Sequence, residues 1–168
     1  MKKWFFLFLT LCLCVSLSAL AETAAPKLSY PSQELDMPAA GLMIYVPTNM
    51  DTLDSDEESF DLGFRFNCYT DTFDFTVYVH DSRDMSLPDY AAFYANRYGF
   101  IAAADRINGF AVQRLTKPDK PRNFDILVAM PDEESPEAVY ALSFSCGNDA
   151  DQKLADEILS TLALYGYE

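Results

Sequence analysis

The sequence predicts an α+β fold: a mostly antiparallel sheet of about six to seven strands with two helices packed on it. Three observations carry this. Segments with apolar residues at every second position recur along the chain, as in Phe73, Phe75, Val77 and Val79, which marks half-buried strands. Two segments repeat apolar residues at helical spacing between start and stop signals. No strand–helix–strand unit of about 30 residues repeats, so hairpins and not crossovers join most strands.

The N-terminus reads as an export signal. Lys2 and Lys3 precede an uncharged run over 4–15, and a more polar stretch ends Ala19-Leu20-Ala21. Small residues at the last and third-last positions suit signal peptidase, which predicts residues 1–21 as a cleaved signal peptide. A retained span needs about 20 apolar residues, more than this run offers. Leu11 precedes Cys12 and Leu13 precedes Cys14, where lipidation would need a small residue. The mature chain is expected to start at Glu22, in the medium or another extracytoplasmic compartment. Residues 22–39, with Pro26, Pro31 and Pro38 and no period, are expected to be a flexible leader, and 40–168 a single domain.

Residues 41–46 form a short apolar run stopped by Pro47, the first expected strand. Residues 51–59 are dense in acid and are expected to be a loop. Phe60, Leu62, Phe64, Phe66 and Cys68 then alternate with polar residues, and so do Phe73, Phe75, Val77 and Val79; with Thr70-Asp71 between them the two read as a hairpin. Ser86 and Asp89 form a box-like cap with Pro88 in the first turn. Leu87, Tyr90, Ala91, Tyr94 and Tyr98 share one stripe of the helix that follows, which Gly99 ends. A strand over 101–107 meets another over 110–115 through Asn108-Gly109, a pair suited to a two-residue turn because both tolerate positive φ. Phe124, Ile126, Val128 and Met130 alternate next, then Ala138, Tyr140, Leu142, Phe144 and Cys146. Asn148 or Asp149 caps a closing helix with Leu154, Ile158, Leu159, Leu162 and Tyr165 on one face, stopped by Gly166.

The formal charge is −14, and loss of Lys2 and Lys3 takes it to −16. Such a chain repels nucleic acid and anionic membrane surfaces, while basic partners or divalent cations remain allowed. Cys68 and Cys146 survive signal removal. An even pair in an exported protein suggests a disulfide, worth about 4 kcal/mol for a loop of this length; two buried free thiols are the alternative.

Chemistry-bearing patterns are few. His80, the only histidine, precedes Asp81 and falls on the polar face of its strand, where a surface role outweighs general-base chemistry. There is no Gly-x-Ser-x-Gly elbow and no Gly-rich phosphate loop. Two cysteines and one histidine do not make a zinc site. Asp54, Asp56, Glu57 and Glu58 offer oxygens for calcium, without the spacing of a calcium loop; a solvated acidic loop is the competing reading. Tyr69 and Tyr78 face outward from the predicted hairpin, onto a surface that a helix would cover in a sandwich.

The stretch Leu42-Met43-Ile44-Tyr45-Val46-Pro47, the helix before Ile107-Asn108-Gly109-Phe110, and the ending Ala155-Asp156-Glu157-Ile158-Leu159-Ser160-Thr161-Leu162 together resemble the PsbP-like αβα-sandwich family, which has many exported bacterial members of unknown function. The resemblance implies a sandwich fold and a binding or assembly role, and transfers no catalytic residue. The expected function is therefore a non-enzymatic binding or assembly module of the cell envelope, without a cofactor and with a protein partner there. A calcium-dependent module using residues 51–61, or a small secreted hydrolase, are the alternatives.

Overall fold

The computed structural model describes residues 28–54, 56, 60–131 and 133–165; the expected signal peptide and Gly166 lie outside them. The chain runs β1 (Ser32–Met37), a 3-10 turn (Pro38–Ala40), β2 (Leu42–Pro47), β3 (Asp51–Asp54), β4 (Phe64–Tyr69), β5 (Phe73–Asp81), α1 (Leu87–Tyr98), β6 (Ile101–Ile107), β7 (Phe110–Lys117), β8 (Lys120–Val128), β9 (Ala138–Cys146), α2 (Asp149–Leu159) and β10 (Ala163–Leu164). Seven strands make an antiparallel sheet in the order β3-β4-β5-β9-β8-β7-β6, and β1-β2-β10 form a small second sheet. The α+β architecture expected from the alternating segments is the one observed. Among the described residues, no helix is long and apolar enough to cross a membrane.

The large sheet separates two cores. On one face, Phe66, Phe75, Ile126, Leu142 and Phe144 pack against Leu42 and Ile44 of β2 and against Ala155, Ile158 and Leu159 of α2. The cross-strand register Phe75↔Phe144↔Phe124 lines up three rings on β5, β9 and β8, stacked at 4.6 and 5.0 Å between centroids. On the other face, Tyr90, Ala91 and Ala95 of α1 cover Leu115, Leu127, Val139 and Ala141. The helix termini follow the sequence signals. Ser86 Oγ accepts from the Asp89 amide and donates to its carboxylate, and Asn148 Oδ1 accepts from Ala150 and Asp151. The Asn108-Gly109 turn is left-handed at both residues, with φ 51° and 89°, and Asn108 Nδ2 anchors it by donating to Ser160 and Leu162 carbonyls.

Five expectations are corrected. The leader is not wholly irregular, because Ser32–Met37 pairs with β2 in register from Ser32↔Pro47 to Met37↔Leu42. The acidic loop contains β3, whose Asp51–Asp54 pairs with β4. The strand expected from Phe60 begins only at Phe64; Phe60 and Leu62 are 50% and 79% exposed. The closing helix ends at Leu159, so Leu162 reaches the core from the turn behind it and Tyr165 follows β10. There is no Cys68–Cys146 disulfide: both thiols are buried and free. Cys68 sits opposite Phe75 and Cys146 opposite Phe73, on strands that flank β5. Two interstrand spacings, about 9.5 Å, already exceed the roughly 7 Å that a disulfide spans between Cα atoms.

Burial pushes the Cys68 thiol up to about 12 and the Cys146 thiol up to about 11, with nearby aspartates adding to both. Neither is an activated nucleophile at neutral pH. Unfolding without reductant is expected to expose both cysteines to alkylation, read by peptide mass mapping; a disulfide-linked peptide pair would contradict this.

Candidate functional site

The covered side of β5 and the facing stripe of α1 build an aromatic cluster. Alternation along β5 puts Tyr78 and His80 on the same side, and helical spacing puts Tyr90, Tyr94 and Tyr98 on α1 above them. The His80 ring lies 6.1 Å from Tyr78 at 23°, 6.3 Å from Tyr90 at 30°, and 5.8 Å from Tyr94. Tyr94 continues the cluster to Tyr98 at 4.6 Å and Phe100 at 6.0 Å. A cavity of about 240 Å³ opens here, lined by His80 and Asp81 from β5, Arg83 from the turn, and Tyr90, Phe93, Tyr94, Arg97 and Tyr98 from α1. A shallower hollow of about 380 Å³ lies on the other side of His80, against Phe60, Leu62, Arg65 and Glu137.

His80 is therefore not the free surface histidine that its place on a polar strand face suggested. That face is roofed by α1, and Nε2 of His80 is buried with no hydrogen-bond partner. An orphaned buried polar atom costs about 1–3 kcal/mol. Burial holds its pKa below the ordinary 6.5, so the ring is neutral at pH 7. As pH falls through 6.5 the unfolded chain takes up a proton at this residue that the folded chain refuses, so folding weakens from 6.5 downward until the lower folded pKa is reached. His80→Phe is expected to raise unfolding free energy by about 1 kcal/mol at neutral pH and to flatten that acid limb, read by urea titration between pH 5 and 7. An unchanged limb would show that His80 is not desolvated.

The turn after β5 is strained. Arg83 and Asp84 both adopt left-handed φ, 59° and 58°, at about 1–3 kcal/mol for such a residue. The Arg83 amide donates to Asp81 Oδ1 at 2.7 Å, which fixes the bend. Its guanidinium lies 5.2 Å from the Phe93 ring centre, and that of Arg97 lies 5.7 Å from Tyr98. Beneath the cluster, Asp125 is buried and accepts from the Ser143 and Tyr94 hydroxyls. Burial raises its pKa above the ordinary carboxylate value, offset in part by these bonds and by Lys117. The Tyr94 ring is thereby tied to β8 by its hydroxyl and to β5 by its face.

The structure does not bring the other expected site residues together. Glu57, Glu58 and the side chain of Asp54 lie outside the described residues, and Asp56 is exposed, its carbonyl accepting from the Phe60 amide. Among the described residues, no group of three or more His, Cys, Asp or Glu could hold a metal ion. Tyr78 lies under α1, as the sandwich reading anticipated, while Tyr69 is half-buried near the β3 edge. The pocket residues that sequence reasoning passed over are Arg83, Phe93 and Arg97. The available signal was the Tyr90–Tyr94–Tyr98 stripe, too polar and too aromatic for a plain core face.

No family profile matches this chain, and no curated protein matches it. Among solved structures it is similar to a crystal structure from Bacteroides thetaiotaomicron VPI-5482, with TM-score 0.50 and 12% identity over 81% of this chain. The chain spans about half of that protein, 49% of its length. It is also similar to the solution structure of cyanobacterial PsbP (CyanoP) from Synechocystis sp. PCC 6803, with TM-score 0.48 and 14% identity, covering 84% of this chain and 98% of that one. At such identities the likeness is one of fold alone.

Proposed function

We propose that this chain is an exported, non-enzymatic binding or assembly module of the cell envelope, and that its ligand site is the pocket between α1 and the end of β5. One observation carries the reading. A concave aromatic wall is kept open around a buried, unpartnered His80 Nε2 and beside two consecutive left-handed non-glycine residues, both of which cost stability. Such costs collect at sites retained for binding. Concave sites in which aromatic side chains surround a few placed polar groups are where small ligands bind. The rest of the reading follows from the sequence: residues 1–21 supply the export signal, the acidic surface disfavours nucleic acid and anionic lipid, and the lack of a nucleophile or cofactor motif favours binding over catalysis.

Crystals soaked with single-ring compounds should show density between α1 and β5; rings bound only elsewhere, or nowhere, would defeat the site. Intact mass of the native protein should correspond to a chain starting at Glu22, and a chain keeping Met1 would defeat the export half of the proposal.

A further inference from the structure

Two arginines and one acid line this pocket, in a chain of net charge −14. Acidic residues outnumber Lys and Arg by 26 to 12 over the whole chain. Arg114 pairs with Asp105 at 2.8 Å, and Arg122 pairs with Asp149. At the pocket, Arg83 and Arg97 form no ion pair with any described carboxylate and instead lie against the Phe93 and Tyr98 rings. The one acid in the lining, Asp81, has an oxygen taken by the Arg83 amide. Arg83 is near enough to the Tyr90 hydroxyl to oppose the rise in its pKa that burial causes. Guanidiniums held against ring faces are already ordered, and their fork of donors matches a carboxylate.

The lining between them is aromatic: Tyr90, Tyr94 and Tyr98, with His80 neutral beside them. A volume of about 240 Å³ lies below the roughly 300–1,000 Å³ of sites for drug-sized molecules. It suits one ring with a short substituent. Resting on the reading of this pocket as a ligand site, we infer that it takes a small aromatic carboxylate, the ring stacked on the tyrosines and the carboxylate held by Arg83 and Arg97. With about ten non-hydrogen atoms, such a ligand binds with a dissociation constant on the order of 0.1 mM.

The test is amide NMR of the protein titrated with 4-hydroxybenzoate, its neutral amide and cyclohexanecarboxylate. The acid is expected to shift signals of α1 and of residues 80–84, at least tenfold more tightly than either comparator, and to weaken as salt is raised. Arg83→Gln with Arg97→Gln should reduce the acid to the affinity of the amide while the amide is unaffected. A spectrum with unchanged dispersion confirms that the variant is folded; single replacements, each expected to cost part of the preference, serve if the double one unfolds. If the amide binds these residues as tightly as the acid, the anionic class is overturned and the pocket reading stands. If cyclohexanecarboxylate matches the acid, the aromatic requirement is overturned. If no ring compound perturbs these residues, both the inference and the proposed site fall.

Discussion

Phe144→Ala is expected to cost about 3–5 kcal/mol of unfolding free energy. Phe144 is almost fully buried in the centre of the seven-stranded sheet. Its ring stacks on Phe75 at 4.6 Å and on Phe124 at 5.0 Å, and meets Phe73 at 6.5 Å. Truncation leaves a cavity between three other rings on paired strands, which cannot collapse without breaking the β5–β9–β8 register. Phe144→Leu, which refills most of the volume, should lose clearly less. A urea midpoint for Phe144→Ala close to that of wild type, with unchanged slope, would mean that these rings are not packed as described.

Gly63→Ala is expected to cost about 3–5 kcal/mol, from backbone strain and overpacking together. Gly63 has φ 90°, and an added Cβ would lie 2.4 Å from the Val79 carbonyl oxygen. The neighbour cannot yield, because the Val79 amide donates to the Gly63 carbonyl at 2.7 Å. Gly109 provides the comparison: its φ is 89°, with nothing within 4 Å of the added atom. Gly109→Ala therefore pays only for the conformation, about 1 kcal/mol. The difference between the two substitutions measures the close approach at β5. Equal losses would contradict it.

Gly63 also explains where sequence periodicity failed. Phe60, Leu62, Phe64, Phe66 and Cys68 alternate without a break, and period alone carries the strand through all five. The chain instead makes a helical turn at Phe60 and Asp61 and passes through Gly63 in the left-handed region. The first two apolar residues stay in solvent. The pattern held where it was backed by a turn or a cap: the Asn108-Gly109 hairpin, α1 between Ser86 and Gly99, and the strand ending in Cys146 all lie where expected. The strands that periodicity does not mark are edge strands. β1 has one fully buried side chain, Met37, and all three residues of β3 with a described side chain are exposed. Backbone pairing with β2 and β4 holds them, and composition carries no trace of it.

The pocket was legible only in halves. The tyrosine stripe of α1 and the aromatic alternation of β5 are visible in the chain, but their meeting is a tertiary event. His80 on a polar strand face reads as exposed until α1 is laid over it. Phe93 and Arg97, four apart on α1, share a helix face, but nothing in the sequence links that face to Arg83 in the turn after β5. The cysteine pair misled for the opposite reason. Both residues do face the core, as alternation predicts, yet β5 runs between them.

The most direct test of the pocket is the imidazole NMR signal of His80, unambiguous because the chain has one histidine. The apparent pKa is expected below 6.5 in the free protein, and the ring signal is expected to be displaced when an aromatic ligand binds. A ring that titrates at or above 6.5, and stays unmoved by every compound that binds the protein, would contradict this.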